Sequence, residues 1–326
     1  MDDPLPPLAD RLGRTHFERR RRLEDRPGHG HRGWVSRASR LIRWLSRTTG
    51  LHAIGQANAL RFAIEEHTWT LPVRRPITLL QLTDLHYPGD ESAPAAKDSD
   101  QDSLQVPHPF ANALAAALAP LSWDICVLTG DYRFPVRGDI EPAMNGLRQL
   151  RRAIPGPIFA VLGNHDSLSM VEPMEAIDIR VLLNESVEAE PGLWFVGVDD
   201  PAQFKTDDLE RALSDIPEPA PPAEPGQPAN DRALVMLAHE CSGYAEAAAA
   251  GIHLHLSGHG HGGQICLPGG FPLIHNLRAP RRMNSGPFEH HGMHGHVSRG
   301  TGSCGVDIRF FCPPEITLHH LKPTDG

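Results

Sequence analysis

Short aliphatic runs alternate with longer stretches of helical periodicity from about residue 60 onward. The runs are rich in β-branched and aliphatic residues, and they predict strands at 77–82, 125–129, 158–162, 193–198, 234–238 and 252–256. Apolar residues at three- and four-residue steps predict helices at 109–119, 141–153 and 243–250. Such alternation of strands and helices is typical of an α/β domain.

The chain before residue 60 has a different pattern. Residues 1–33 mix proline, glycine, arginine and acids without a hydrophobic period, which predicts a mobile arm, with order beginning near Trp34. From there apolar residues return at helical spacing with arginines between them, which predicts a basic amphipathic helix. We therefore divide the chain into a basic, partly disordered N-terminal arm over 1–60 and a folded domain over 61–326.

The amphipathic helix has two interpretations. Either it packs on the body of the protein, or residues 33–50 lie as a peripheral anchor on an anionic membrane surface. Residues 11–50 contain twelve arginines, so this part is basic although the net charge of the chain is −9. That overall charge argues against a protein built to hold nucleic acid, because binding to the phosphate backbone requires a broad basic face.

Cysteine usage and hydropathy indicate the cellular compartment in which the protein is expected to lie. The five cysteines are scattered without a CxxC pair, which favours a reducing compartment and no disulfide framework. The pattern of a signal peptide is missing, and no apolar run is long enough to span a bilayer. We therefore expect a cytoplasmic protein, peripheral on the inner face of the membrane if the helix is an anchor. Two segments, at 91–103 and 217–230, have the composition of surface insertions.

Polar motifs follow the predicted strands at the points where these strands end. Ligands bind at the carboxyl ends of strands in open α/β sheets, so these positions are candidates for a site. The motifs are TDLH, GD, GNHD, a single strand-end histidine and GHGH, and they contain Asp84, His86, Asp131, Asn164, His165, Asp166, His239, His259 and His261.

The residue types in these motifs suit divalent metal ions. Carboxylate, imidazole and amide groups are ligands for hard to borderline cations, and D-x-H and H-x-H aim alternate side chains of an extended segment at one point. Each motif alone is weak, because a turn carboxylate or a core histidine explains it more often. The ordered set, with every member at a strand end, predicts a shared metal centre.

With these motifs the chain resembles the calcineurin-like metallophosphoesterase superfamily, from about residue 76 onward. Within it the chain is most similar to the bacterial YaeI-like phosphodiesterase branch, through VGVDDP at 196–201, GHGHGGQICLPG at 258–269 and VSRGTGSCGVDIRFFCPPEITL at 297–318. The resemblance implies an α/β fold, a four-layer α/β/β/α sandwich with two mixed β-sheets. It also makes residues 61–326 a metallophosphoesterase domain.

The resemblance also implies roles for individual residues. Asp84, His86 and His261 would bind one metal ion, and Asn164, His239 and His259 the other, with Asp131 bridging them. The cofactors would be two divalent ions, with Mn, Fe, Zn and Mg all open. A hydroxide shared by the two ions would attack phosphorus. His165 would assist the leaving oxygen, and Asp166 would fix the tautomer of His165.

Some residues near these motifs keep two interpretations. Relatives in the branch continue the strand-end histidine as His-x-Pro-Asp, whereas here Glu240, Cys241 and Ser242 follow, which places substrate contacts in doubt. Arg299 is a phosphate contact or a structural ion pair. Support of the site and capping of a turn explain Asp199 and Asp200 equally well.

Other histidines have less claim to the metal centre. A second cluster suggests a third metal site, but a solvent-exposed hairpin explains it better; it consists of His290, His291, His294 and His296. His253 and His255 are expected to be packing or surface residues.

The function we expect is hydrolysis of a phosphodiester or pyrophosphate by a metal-dependent phosphoesterase. The basic amphipathic arm favours a membrane-associated, lipid-linked phosphate ester as the substrate. A soluble phosphomonoesterase or nuclease with the same dimetal site is an alternative. So is a scaffold that binds metal without catalysis.

Overall fold

The computed structural model of the protein describes residues 6–26, 33–87, 109–134, 136–217, 232–273 and 277–324, with only the backbone described for 33–38. The predicted insertion at 91–103 lies outside the described residues, and so does the one at 217–230 apart from its first residue.

The described strands, in chain order, are β1 (Ala63–Leu71), β2 (Ile77–Leu82), β3 (Ile125–Leu128), β4 (Ile158–Ala160), β5 (Ile179–Val181), β6 (Glu185–Glu190), β7 (Leu193–Gly197), β8 (Ala233–Leu237), β9 (Leu254–Ser257), β10 (Cys266–Leu267), β11 (Phe271–Pro272), β12 (Gly286–His290), β13 (Met293–Val297) and β14 (Glu315–Pro323). The helices are α1 (Leu8–Arg11), α2 (Arg14–Glu24), α3 (Gly33–Thr48), α4 (Leu51–Asn58), α5 (Pro109–Leu118), α6 (Glu141–Ala153), α7 (Val171–Glu175), α8 (Leu209–Ser214) and α9 (Tyr244–Ala249). All the predicted strands and helices form, with bounds that shift by at most two residues, and the bounds of α6 are as predicted.

Two six-stranded mixed sheets form the body of the molecule. The first has the order β1-β14-β2-β3-β4-β5 and the second the order β12-β13-β9-β8-β7-β6. In the first sheet β2 to β5 are parallel, whereas β14 runs antiparallel to β2 and parallel to β1. The mixed character of both sheets agrees with the prediction.

Alternate residues of the strands face different cores. Leu79, Val127 and Phe159 of the first sheet meet Phe195 and Val235 of the second in a core between the sheets. Their neighbours along the strands point to the opposite face, where α5, α6 and α7 cover the first sheet. Helices α8 and α9 cover the outer face of the second sheet. Because each sheet buries both of its faces, the four-layer α/β/β/α sandwich is confirmed.

The N-terminal helices correct one prediction. Helices α1 and α2 pack on the domain, with Leu8 and Leu12 in the core next to the first sheet. Arg11 donates to Glu175 at 2.8 Å and to Glu185 at 3.0 Å. The prediction of a mobile arm was therefore wrong for residues 6–26. We expected the arginines of this segment to be solvated, whereas Arg11 pairs with acids that are distant in sequence. The division of the chain at residue 60 stays a prediction.

Helix α3 forms where the amphipathic pattern predicted it. Its apolar side is turned outward: Leu41, Trp44 and Leu45 are 56%, 61% and 45% exposed, while Ser46 is buried. The helix nevertheless contacts the body of the protein through Arg43, which donates to the carbonyl of Gly305 at 3.0 Å, so both interpretations of the helix stay open. Among the described residues, no helix combines the length and the apolar character needed to cross a bilayer.

The second histidine cluster forms the hairpin β12–β13, but its members have different surroundings. His290 contacts the Tyr244 ring, and the rings of His294 and Trp69 lie 5.3 Å apart. His296 is buried, 4.7 Å from the His67 ring. The prediction of a solvent-exposed hairpin is therefore wrong for β13, because β13 pairs with β9 and has an inner face between the sheets.

His255 of β9 is a buried polar residue on the outer side of the second sheet. It is fully buried, neither of its ring nitrogens has a hydrogen-bond partner among the described residues, and its ring lies 6.2 Å from that of Phe288. Burial lowers the pKa of His255 to about 4. The imidazole is therefore neutral in the folded protein and charged in the unfolded chain at mildly acidic pH.

This difference predicts a loss of stability in acid. As the pH falls from about 6.5 to about 4, the unfolded chain takes up a proton that folded His255 refuses, which lowers the free energy of unfolding by up to about 3 kcal/mol. We expect His255→Leu to remove this part of the loss and to leave stability near neutral pH unchanged or higher, because an unpaired buried polar group is replaced. Urea unfolding across this pH range measures it, with His290→Leu on the partly exposed β12 as control. An equal acid loss in His255→Leu and the parent would contradict the prediction.

Candidate metal centre

The polar motifs that follow the strands meet at one end of the sandwich. Those after β2, β3 and β4 come from the first sheet, and those after β8 and β9 come from the second. The loops after β2 and β3 are bonded to each other, since His86 N–H donates to the carbonyl of Asp131 at 3.0 Å. Six of the seven predicted ligands are buried and the seventh, His259, is half-buried. The structure thus brings together six of the seven, which are Asp84, His86, Asp131, His239, His259 and His261. The remaining one, Asn164, precedes His165, whose backbone N–H donates to Asp131 Oδ1 at 2.8 Å.

One group of possible ligand atoms lies around Asp84. The Nε2 atom of His261 is 3.2 Å from Asp84 Oδ1 and 3.1 Å from His86 Nε2. Asp84 Oδ1 is buried and has no hydrogen-bond partner among the described residues. Three ligand atoms therefore surround one point, and one of them is an unsatisfied carboxylate oxygen, as a cation site requires.

A second group lies around Asp131. His239 Nε2 is 3.3 Å from Asp131 Oδ2 and 3.1 Å from His259 Nδ1. The same Oδ2 atom is 3.5 Å from His86 Nε2 in the first group. Asn164 Oδ1 is buried without a hydrogen-bond partner among the described residues. One carboxylate oxygen therefore faces both groups of possible ligand atoms.

Backbone carbonyls orient two of these histidines. His86 Nδ1 lies 3.2 Å from the carbonyl oxygen of Arg133, and His239 Nδ1 lies 2.8 Å from that of Thr129. A carbonyl only accepts, so each Nδ1 must donate, and in a neutral ring Nε2 then presents a lone pair to the site. Such outer contacts are typical of metal-binding histidines.

The electrostatics of the site differ among its histidines. Burial raises the pKa of Asp131, but His239 and His165 lower it more, so the result lies well below the usual range. Burial, reinforced by the charges of His165 and His261, holds the pKa of His86 well below normal. Burial lowers the pKa of His239, but Asp131 and Asp84 outweigh this effect and hold it well above normal. Asp131 and His86 therefore have the protonation states of metal ligands, whereas a cation would have to displace a proton from His239.

The backbone conformation at the site is unusual for residues other than glycine. Positive φ angles between 43° and 69° occur at five of the seven positions, which are Asp84, His86, Asp131, His259 and His261. Tight packing also excludes a side chain at two neighbouring positions. A Cβ at Gly163 would lie 2.2 Å from Asp131 Oδ1, and one at Gly258 would lie 2.4 Å from Asp84 Oδ2. Strain of this kind is concentrated at functional sites, where the surrounding structure maintains it.

His165 lies beside the centre, and its partner differs from the predicted one. His165 Nδ1 is 2.6 Å from the carbonyl oxygen of Phe134, so it donates there and Nε2 faces Asp131 Oδ2 at 3.9 Å. The Asp166 carboxylate instead accepts from the backbone N–H of Asp131 at 2.7 Å, of Tyr132 at 2.9 Å and of Gly163 at 2.9 Å. The prediction that Asp166 fixes the tautomer of His165 was therefore wrong. Asp166 holds the backbone of the Asp131 loop.

The residues with two interpretations have structural contacts. Arg299 pairs with Glu65 and, at 2.7 Å, with Glu315. The Asp200 carboxylate accepts from the backbone N–H of Gln203 and Phe204, each at 2.6 Å, and so caps a turn. Glu240, in the run that departs from the branch pattern, accepts from the backbone N–H of Arg278.

Sequence reasoning missed two residues at the site. Cys304 Sγ lies 3.9 Å from His165 Nε2, and fully buried Arg309 reaches His261 Nδ1 at 3.3 Å. Both lie in the loop between β13 and β14, which carries no metal-ligand spacing. The only sequence signal was their position inside the segment that resembles the YaeI-like branch.

Comparison with known proteins gives a family. The model of the calcineurin-like phosphoesterase family matches residues 77–286. The uncharacterized metallophosphoesterase YkoQ of Bacillus subtilis is 28% identical over 262 residues, which cover 77% of this chain and 86% of that protein. YkuE of the same organism, another uncharacterized metallophosphoesterase, is 35% identical over 91 residues, or 28% of this chain and 32% of its own. A solved dimetal phosphatase from Danio rerio aligns over 76% of this chain and 93% of its own with 11% identity and a TM-score of 0.40.

The contacts of Asp166 predict the effect of Asp166→Asn. An amide nitrogen would face backbone N–H donors, so we expect a loss of about 1–3 kcal/mol in the free energy of unfolding and a lower metal content, because the Asp131 loop shifts. Urea unfolding and elemental analysis measure the two effects. The matched control is Asp200→Asn, which removes a buried carboxylate that accepts from the backbone N–H groups of Gln203 and Phe204 instead of from the Asp131 loop, and it should cost stability without loss of metal. If Asp166→Asn kept the stability and metal content of the parent but had reduced turnover, the result would instead favour the role of Asp166 in fixing the tautomer of His165.

Proposed function

Because the chain belongs to the calcineurin-like phosphoesterase family, a family of metal-dependent phosphoesterases, we propose that it hydrolyses a phosphodiester or pyrophosphate at the centre around Asp131. One observation carries the proposal: Asp131 Oδ2 lies 3.3 Å from His239 Nε2 and 3.5 Å from His86 Nε2. A single carboxylate oxygen thus lies between two groups of ligand atoms. That arrangement suits two cations a few ångströms apart.

The residues present fit such a pair of ions. Asp84, His86 and His261 would hold one ion, His239, His259 and Asn164 the other, and Asp131 both. Asp84 Oδ1 and Asn164 Oδ1, both buried and unsatisfied, are oxygen atoms that a cation would satisfy. When bound, the divalent ions supply a water of lowered pKa as the nucleophile and offset negative charge on the phosphoryl oxygens. Their identity among Mn, Fe, Zn and Mg is open.

His165 is the residue that we assign to the leaving group. Its Nδ1–H donates to the Phe134 carbonyl, which directs Nε2 toward the centre. A proton on Nε2 would be given to the leaving oxygen as the bond to phosphorus breaks. Asp166 has no direct part in this transfer. It keeps the Asp131 loop in place through backbone hydrogen bonds.

The outward apolar face of α3 supports a membrane-associated, lipid-linked substrate, with the protein peripheral on an anionic surface through residues 33–50. The likeness to the YaeI-like phosphodiesterase branch favours a diester as the substrate. The assignment to that branch stays a prediction. A soluble phosphomonoesterase or nuclease would use the same centre. A scaffold that binds metal without catalysis would lack a use for His165.

A metal and substrate screen tests the proposal. The purified chain should contain two equivalents of divalent metal by elemental analysis or take them up from manganese. With manganese it should hydrolyse bis-p-nitrophenyl phosphate faster than p-nitrophenyl phosphate. Faster turnover of the monoester favours the phosphomonoesterase, and turnover of neither ester with metal bound favours the scaffold.

The role of His165 predicts the effect of His165→Asn. Loss of the proton donor should lower kcat for bis-p-nitrophenyl phosphate by about 10²- to 10⁴-fold while metal content stays at the parental level. His239→Ala removes a ligand atom instead, so it should lower metal content together with turnover. His290→Ala, on β12, is the matched control and should change neither. Parental turnover by metal-loaded His165→Asn would overturn the assignment.

A further inference from the structure

Helices α3 and α4 present an apolar surface to solvent. Besides Leu41, Trp44 and Leu45 it includes Leu51 and Ile54, which are 47% and 54% exposed. With Leu60, six of the eleven large hydrophobic residues that are exposed in the described part of the chain lie within residues 41–60. An apolar patch of this kind marks an interaction site rather than scattered surface residues.

The charge carried by α3 and α4 themselves has one sign, although Asp307 of the body lies beside α4, with its Oδ1 3.7 Å from His52 Nε2. From Gly33 to Ile64 the sequence contains arginines and no acid, although the chain as a whole has a net charge of −9. Arg40 and Arg47 are exposed at the edges of the apolar surface. An outward apolar face with arginines and without acids complements an anionic bilayer, whose headgroups attract the cations while the acyl region takes up the apolar side chains.

The surface borders a groove that reaches the metal centre. The groove has a volume of about 450 Å³, and its lining includes Arg43 and exposed Arg47 of α3 as well as buried His86 of the first ligand group. Its walls are mostly apolar and include Leu60, Leu85, Phe110, Phe134 and Val306. A ligand that binds the metal centre through a phosphate can therefore extend an apolar group outward to the surface of α3 and α4.

Hydrogen bonds fix this surface relative to the centre. Arg43 donates to the carbonyl of Gly305 at 3.0 Å, and the N–H of Arg309 donates to the carbonyl of Gly55 at 3.0 Å. Arg309 in turn contacts His261 of the first ligand group. The groove therefore keeps a constant orientation between the outer surface and the predicted metal ligands.

We propose that the α3–α4 surface lies on an anionic bilayer and that the groove receives the acyl chain of the substrate, so that the substrate class is a lipid phosphate ester. This proposal rests on the phosphoesterase function proposed above. It assigns a chain-binding role to Leu60, Leu85, Phe110, Phe134 and Val306, and a membrane-docking role to Leu41, Trp44, Leu45, Leu51 and Ile54.

Vesicle co-sedimentation tests the docking surface. The full chain should bind vesicles that contain phosphatidylglycerol and not vesicles of phosphatidylcholine alone. Trp44→Glu should lower binding by about tenfold or more, because it places a carboxylate against an anionic surface. The control is Phe271→Glu, equally exposed at 60% but on β11, which should bind like the parent. Membrane docking would be overturned if Trp44→Glu bound vesicles as well as the parent does. It would also be overturned if the substitution changed the oligomeric state and not the binding to vesicles.

Chain-length preference tests the groove. Among p-nitrophenyl phosphodiesters, the dodecyl ester should have a kcat/KM about tenfold or more above that of the methyl ester, since burial of a few methylene groups suffices for this factor. Leu60→Trp fills part of the groove and should lower kcat/KM for the dodecyl ester to about that for the methyl ester. Equal kcat/KM for both esters in the parent would overturn the acyl site alone. Absence of turnover for every ester with metal bound would overturn the phosphoesterase function itself.

Discussion

The position of the Asp131 carboxylate is the constraint on which the site depends. Its Oδ1 accepts the N–H of His165 at 2.8 Å, and its Oδ2 lies between His239 and His86. A buried anion is costly unless neighbours compensate for its charge, and here histidines and backbone donors do so. The second carboxylate, that of Asp166, restrains the backbone on either side of it. Loss of either restraint would separate the two groups of ligand atoms.

The arrangement of the two sheets explains why the Asp131 carboxylate lies between both groups of ligand atoms. It follows β3, near the middle of the first sheet, whereas His239 and His259 follow β8 and β9 of the second. The two sheets face each other across one core, and both present the carboxyl ends of these strands at the same end of the sandwich. Neither sheet alone contains a complete set. The centre exists only because the sandwich is closed.

The sequence was informative where structure is locally encoded. The buried parallel strands β2, β3 and β8 read as continuous aliphatic runs, and the ligand motifs follow them directly. Strand β1 was missed because four polar residues in succession, at 65–68, leave it without an aliphatic run, and because its partner β14 lies at the other end of the described chain. Helices α1 and α2 were missed because their arginines pair with acids far away in sequence, and Asp166 was misassigned because adjacency to His165 does not determine where a side chain points.

Strand β14 lies between β1 and β2 and hydrogen-bonds to both. During synthesis, β1 and β2 therefore leave the ribosome long before the strand that joins them. Until β14 has emerged, β1 lacks its described partner in the sheet, and Thr301, which bonds to Thr83 beside Asp84, lacks its hydrogen bond to the carbonyl of Glu315. Assembly of the end of the molecule that carries the candidate centre should thus wait for β14, and until then nascent chains would depend on the cell to keep the edge of β2 from pairing with other polypeptides.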